Sequence, residues 1–283
     1  MNKIDLIDYK ITPFLRWTGS KRWFVKKYIN DFLPKSFNNY HEPFLGAGSV
    51  FFYLINLNEK IDRKYYLSDT NEDLINTYIQ LRDNPHDVIK YLKKLKNTSE
   101  DYYRIRNENP RIKEKRAARF IYLNKTSFNG IFRVNSKGIY NVPYGKQENV
   151  NFINEELLLS ISLKLKDVII QHESFENNLN NIEKGDLIFI DPPYTVAHEN
   201  NGFIEYNQKL FSWDDQERLK VYIENIIERE AFFILTNASH ISITNLYRNI
   251  GKIKKLSRNS QVGGRNKTRG VFNELIIYNT KSK

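Results

Sequence analysis

The stretch that decides the fold is Gly185-Asp186-Leu187-Ile188-Phe189-Ile190-Asp191-Pro192-Pro193-Tyr194. Four consecutive apolar residues bounded by Gly-Asp and Asp-Pro read as a strand covered on both faces, the pattern of a parallel sheet packed between helices. Such a strand delivers a carboxylate to its C-terminal end, where open α/β sheets place their ligands. The two prolines that follow fix φ and donate no amide hydrogen, so their carbonyls are left to accept. Asp191 and the Pro192 carbonyl are therefore placed to take hydrogen bonds from an exocyclic amine, with its lone pair held toward an electrophile. Tyr194 offers a face on which an extruded base stacks. A strand ending in a Pro-rich turn accounts for the prolines, but leaves the rest of the set unexplained.

Outward from this strand, Ala231-Phe232-Phe233-Ile234-Leu235 is a second continuous apolar run, with Tyr65-Tyr66-Leu67 and Val168-Ile169-Ile170 as weaker ones. Helical patterns lie between them, over residues 50–57, 74–81 and 213–227, the last with Asp214 and Asp215 near its start. Alternation of this kind predicts an α/β fold with an open, Rossmann-like sheet. From about residue 72 the pattern changes to consecutive helices over residues 85–95, 102–105 and 113–123. A hairpin-like stretch follows, Ile131-Phe132-Arg133-Val134, a turn at Asn135-Ser136-Lys137-Gly138, then Ile139-Tyr140-Asn141-Val142. The division predicted is residues 1–71 and 165–283 for the sheet domain, with residues 72–164 inserted into it.

A second motif, Glu42-Pro43-Phe44-Leu45-Gly46-Ala47-Gly48-Ser49, runs into the helix at Val50. Paired glycines at a strand-to-helix turn let backbone approach a ligand closely, although a plain turn is the commoner reason for them. Asp69 stands 21 positions after Gly48, the spacing at which an acidic residue accepts from ribose hydroxyls. The alternative for Asp69 is a helix cap. Dinucleotide sites carry a third glycine where this chain has Phe51, so an adenosine-type ligand without a pyrophosphate fits better than NAD. S-adenosylmethionine is the obvious one.

Composition narrows the class. The 283 residues carry 44 Lys and Arg against 33 Asp and Glu, a net charge of +11, and 40% of them are hydrophobic. That is a globular composition with a preference for an anionic partner. The surplus is concentrated: residues 10–27 hold +6, residues 111–146 +8 and residues 251–283 +8, against −11 over the rest. Interleaved with Trp17, Trp23, Phe128, Asn129, Phe132, Tyr140 and Tyr144, these segments suit a phosphate-lined groove, the alternative being solvated faces of Lys-rich helices. They are expected to converge on one phosphate-binding cleft.

Cysteine is absent, which removes disulfides, thiolate nucleophiles and Cys zinc sites together. His41, His86, His172, His198 and His240 show no i,i+4 pair, so no metal is expected. No run approaches a membrane span and the opening MNKIDLIDYK lacks the apolar core of a signal peptide, which predicts a soluble, cytoplasmic protein.

Taken together, these motifs resemble the adenine-specific DNA methyltransferases of the Dam and DpnII-type family over nearly the whole chain. The matching residues are Pro13-Phe14-Leu15-Arg16-Trp17-Thr18-Gly19-Ser20-Lys21, residues 42–49, Leu67-Ser68-Asp69 with Asn71, residues 124–145, and Asp191 to Tyr194. Residues 203–206, Thr236-Asn237-Ala238-Ser239 and Asn273-Glu274-Leu275 complete the set. The order, glycine turn before insertion before Asp-Pro-Pro-Tyr, is similar to the α arrangement of amino-methyltransferases. The resemblance implies transfer of a methyl group from S-adenosylmethionine to N6 of an adenine flipped out of double-stranded DNA. It implies catalysis by Asp191, Pro192, Pro193 and Tyr194, and cofactor contacts from Trp17, Lys21, Phe44, Gly46, Gly48, Asp69, Phe175 and Asp191. It also implies DNA contacts from Phe128, Asn129 and Arg133 and a target of GATC, and it leaves two roles open, with a cognate restriction endonuclease as a partner or without one.

For these residues the plainer readings are core packing for Phe175 and Phe128, a phosphate contact for Arg133, and a helix start with surface cations for Trp17 and Lys21. The chain departs from the family at Gln147, where an aromatic often stands. The residues 195–209 are an Asn-rich stretch suited to closing over the site, or simply a loop. A methyltransferase acting on RNA adenine or on cytosine N4 would use the same pocket residues, and a DNA-binding module would account for the charge alone.

Overall fold

The computed structural model describes residues 11–57, 62–135, 137–147, 150–195, 211–259 and 271–281. The expectations placed on residues 196–209, including the match at residues 203–206, lie outside the described residues. In chain order the elements are α1 (Arg22–Lys27), β1 (Tyr40–Glu42), α2 (Ser49–Ile55), β2 (Tyr65–Asp69), α3 (Glu72–Asp83), α4 (Pro85–Leu92), α5 (Ser99–Asn107) and α6 (Lys113–Thr126). They continue with α7 (Glu155–Leu165), β3 (Ile169–His172), β4 (Leu187–Ile190), α8 (Trp213–Glu228), β5 (Phe232–Ala238), α9 (Ile241–Tyr247), β6 (Lys252–Asn259) and β7 (Val271–Tyr278). The fold is mixed α/β, with a seven-stranded sheet in the order β3-β2-β1-β4-β5-β7-β6.

The middle of the sheet is parallel. Tyr40 of β1 pairs with Tyr65 on one side and Leu187 on the other, and Leu187 pairs in turn with Phe232 of β5. Strands β1 and β4 are buried along their whole length, as the unbroken apolar run of β4 requires. Strand β3 is shorter of cover: only Ile170 in it is buried, so its sequence was weak for a physical reason. The sheet then turns antiparallel, β7 pairing with both β5 and β6. No strand is predicted from the sequence for either β6 or β7.

The chain divides into two compact units, one holding the described residues of Met1–Arg22, Gly46–Asp62 and Asp69–His172, the other Trp23–Leu45, Arg63–Ser68 and the described part of Glu173–Lys283. In the first, helices α3, α4, α6 and α7 bury Leu74, Ile75, Tyr78, Val88, Leu92, Ile121 and Leu165. Their ends follow the sequence closely: Asn71, Thr98 and Asn154 each accept a backbone amide of the first turn, capping α3, α5 and α7. In the second unit, Ile188 and Ile190 of β4 and Phe233 and Leu235 of β5 pack against Leu219, Tyr222, Ile223 and Ile226 of α8. Helix α8 begins with a reciprocal capping box between Ser212 and Asp215. At the start of β4 the buried Asp186 accepts from the Asn39 and Glu183 amides and pairs with His41 Nε2 at 2.9 Å. Among the described residues no helix is long and apolar enough to cross a membrane.

The predicted hairpin forms only in outline. Single bridges join Ser127 to Tyr144 and Val134 to Tyr140, and no continuous ladder runs between them. Around the Val134 bridge the pairing is that of a short hairpin: the Asn135 amide donates to the Ile139 carbonyl, the Asn141 amide to the Arg133 carbonyl, and the Gly138 amide closes the turn onto the Asn135 carbonyl.

Candidate active site

In the first unit the glycine turn is built around Asp69 at the end of β2. Asp69 Oδ2 accepts the Gly46 amide at 3.1 Å and Oδ1 the Asn71 amide at 3.0 Å. The helix-capping role falls instead to Asn71, whose own side chain accepts from Leu74. Burial, partly offset by these amides and by His172, pushes the Asp69 carboxyl above its ordinary range. Gly46 and Gly48 have φ of 47° and 63°, which glycine adopts without strain. A Cβ on Gly46 would also lie 2.8 Å from Cδ1 of Trp17, so the turn and the indole are in contact.

Trp17 in turn stacks on Phe132 of the hairpin region, with centroids 5.6 Å apart and planes at 17°. The preceding residue is clamped to the same region: Asn124 donates to the Arg16 carbonyl at 2.7 Å and accepts from its amide at 2.8 Å. The described residues of the first basic segment up to Arg22 are thus joined to the second segment within this unit, while Trp23 to Lys27 and the described part of residues 251–283 belong to the other. Lys21 is buried, with Nζ donating to the Gly19 carbonyl at 2.9 Å. Burial, with Arg16 and Arg22 nearby, lowers the Lys125 ammonium to about 8.

The residues expected at DNA are at the surface of this unit. Phe128 is 51% exposed, which removes core packing as its explanation. Asn129 and Arg133 are exposed, and Arg133 Nε donates to Asn141 at 2.8 Å. Backbone bonds from Phe128 to the Pro143 carbonyl and from Gly145 to the Thr126 carbonyl close the base of this loop.

In the second unit Asp191 leaves the end of β4, where the neighbouring strand β5 supplies Thr236, whose hydroxyl donates to Asp191 Oδ1 at 2.6 Å. Pro192 is buried; Asp191, Pro193 and Tyr194 are half-buried. The Tyr194 phenol donates to Glu274 Oε2 of β7 at 2.8 Å. Burial, with the Glu274 and Asp191 carboxylates close by, pushes this phenol well above its ordinary range, so it keeps its proton and donates. Phe44 stacks on Phe175 with centroids 5.4 Å apart, and Phe175 sits in the core cluster against Phe211 and Tyr222. Core packing therefore applies to Phe175 whatever else it touches.

Two residues hold the Asp-Pro-Pro-Tyr segment, Thr236 and Glu274, to which the sequence assigns no role beyond membership of a motif. The signal was present: an acid inside the apolar run of residues 271–278 is a buried charge that needs a donor. Among the described residues no group of three or more His, Asp or Glu is gathered as a metal site.

Comparison with known proteins bears on this arrangement. The model of the D12 class N6 adenine-specific DNA methyltransferases matches residues 17–262. The chain is 34% identical over 291 residues to the type II methyltransferase M1.LlaDCHI of Lactococcus lactis subsp. cremoris, covering 99% of each chain. It is 32% identical to the type II methyltransferase M.MjaIII of Methanocaldococcus jannaschii, over 95% of this chain and 99% of that one. With the DNA adenine methylase of Escherichia coli K12 the identity is 28%, over 94% of this chain and 95% of that one.

Proposed function

The chain belongs to the D12 class N6 adenine-specific DNA methyltransferases, and from that membership we propose that it methylates adenine in GATC with S-adenosylmethionine as donor. The observation that carries the reading is Asp191, delivered by a buried parallel strand and held by Thr236 at its Oδ1. The donor set of the first unit fits the proposed cofactor. Asp69 presents a carboxylate at the glycine turn to ribose hydroxyls, with Gly46, Gly48 and Trp17 shaping the backbone and wall beside it. Lys21 supplies a cation for its carboxylate. Within the second unit, Phe44 is the wall proposed for the methionine moiety and Phe175 the apolar surface proposed for the adenine.

When bound, S-adenosylmethionine supplies an electrophilic methyl group on a sulfonium. Asp191 and the Pro192 carbonyl accept hydrogen bonds from the two N–H groups of the adenine N6 amine and turn its lone pair toward that methyl. Pro193 holds the turn rigid, and Tyr194 stacks the extruded base. No covalent enzyme intermediate is involved. Residues 72–164 act as the inserted recognition domain, with Phe128 wedging or stacking beside the extruded base and Asn129 and Arg133 reading the duplex. The names of the two type II relatives support a cognate restriction endonuclease in the same system, and the enzyme works on DNA in the cytoplasm.

The test is labelled methyl transfer to plasmid DNA, followed by digestion with nucleases that are blocked by, or require, adenine methylation at GATC. Protection at GATC alone is expected. Methylation of cytosine, of RNA or of another site overturns the corresponding part of the proposal. In the same assay Asp191→Ala, checked for folding by circular dichroism, should lose at least about 100-fold in rate.

A further inference from the structure

Beyond the residues that meet the adenine, the geometry points to Glu274 and Thr236 as positioning residues that lock Tyr194 and Asp191 in the orientation methyl transfer needs. The inference rests on the reading of Asp191 and Tyr194 given above. Both tethers come from adjacent strands of one sheet: Glu274 of β7 is the register partner of Ala238 in β5, and Thr236 stands two residues before Ala238. Glu274 is 1% exposed and Thr236 fully buried, so neither is present for solubility.

The placement of Glu274 runs against the apolar surroundings of β7, where Leu275, Ile276 and Ile277 are buried. A buried carboxylate is retained at a cost in desolvation unless hydrogen bonds satisfy it, and Tyr194 supplies one at 2.8 Å. The return is orientation. The terminal torsions of Tyr and Asp are broad, so packing alone leaves the ring plane and carboxylate plane loosely defined. A phenol bonded to a fixed acceptor sets the tilt of the ring on which the base stacks. A threonine hydroxyl donating to Oδ1 sets the carboxylate plane and turns Oδ2 to a defined direction. Rigid strands are better anchors for such tethers than loops.

The experiment measures single-turnover methyl transfer and duplex affinity for the full chain with S-adenosylmethionine and an adenine-containing duplex. The variants are Glu274→Ala, Glu274→Gln, Thr236→Val, Thr236→Ser and Tyr194→Phe. Misplacement of a reacting group by about 1 Å costs on the order of 100-fold, so Glu274→Ala and Thr236→Val should lower the transfer rate about 10- to 100-fold. The duplex Kd should stay within about threefold, and Gln and Ser, which keep an acceptor or a donor, should restore most of the rate. The double variant Tyr194→Phe with Glu274→Ala should be no slower than the slower single variant, and thermal unfolding should show the same non-additivity.

Fully additive losses, a Gln variant no better than Ala, or a loss carried by Kd at constant rate would each overturn the inference. Should Glu274→Ala fail to fold, the Thr236 pair and the cycle of Tyr194→Phe with Glu274→Gln decide it. A wild-type chain that methylates no adenine duplex sinks the functional reading itself. An active wild type with equally active variants sinks only this inference.

Discussion

Asp69 holds Gly46: the carboxylate at the end of β2 accepts the glycine's amide at 3.1 Å through one oxygen and the Asn71 amide at 3.0 Å through the other. One side chain thus shapes the turn and presents the acceptor proposed for the ribose. Asp69→Ala should weaken S-adenosylmethionine binding by about 10- to 100-fold, the worth of hydrogen bonds to a charged acceptor, as read by calorimetry. The pH dependence has a definite sign. Burial raises this carboxyl above its unfolded value, so the folded chain holds the proton more tightly. Asp69 therefore contributes stability at low pH that is lost as pH rises through the folded value, whereas cofactor affinity changes the opposite way, rising as the carboxylate forms. In Asp69→Asn both trends should be absent.

Arg133 and Asn129 are both exposed but should behave differently when replaced. For Arg133→Ala, base reading predicts a discrimination loss of about 1–3 kcal/mol at one base pair, seen by comparing methylation of duplexes substituted position by position. An equal loss on every duplex, with a shallower salt dependence, would instead make Arg133 a phosphate contact. Asn129 has φ 56°, so Asn129→Gly should leave the unfolding midpoint unchanged or slightly raised, and any loss in DNA binding then reports the side chain. Asn129→Val should destabilise the fold by roughly 1–2 kcal/mol, because a β-branched residue is strained there.

The difference between legible and illegible parts follows from the range of the interactions. Strand β4 and its Asp-Pro-Pro-Tyr ending were readable because burial on both faces leaves an unbroken apolar run, and Asp69 because its spacing from the glycines is a short-range property. The caps are equally local, yet Asp69 reads as the cap of α3 where Asn71 takes that part, and Ser212 at the start of α8 carries no expectation. The antiparallel strands β6 and β7 were missed because their pairing with β5 brings together residues far apart in the chain. The hairpin-like stretch at residues 131–142 was readable too, its turn closing at Asn135 and Gly138 and its arms pairing at Val134 and Tyr140, because a tight turn and its flanking residues are local in the chain. Phe175 shows a further limit, since a core aromatic and a ligand-facing one have the same sequence signal.

Glu230 terminates α8 in a conformation that suits another residue better. Its φ is 56°, and the Glu230 and Ala231 amides turn back onto the carbonyls of Ile227 and Ile226, the geometry of a helix end closed by a left-handed residue. Its ion pair with Lys184 is exposed on both sides and worth little. Glu230→Gly should therefore raise stability by about 0.5–1 kcal/mol in urea unfolding, with methyl transfer unchanged.

Lys125 supplies a test at alkaline pH. Burial, reinforced by Arg16 and Arg22, lowers its ammonium to about 8, so near neutrality the folded protein carries a cation that its surroundings disfavour. The unfolded chain, with an ordinary lysine value near 10.4, holds the proton over a wider range. Between these two values the unfolded state binds more protons, and the wild type should gain stability as pH rises from about 8 to about 10. Lys125→Met keeps the apolar stem and removes the charge. At pH 7 it should be the more stable protein by on the order of 1–3 kcal/mol, with the gap closing across that interval. Urea midpoints for both proteins at pH 7, 9 and 10 measure the difference and cancel the titration of every other group. A gap independent of pH would show that the Lys125 ammonium is well solvated in the folded chain and that Arg16 and Arg22 do not oppose it.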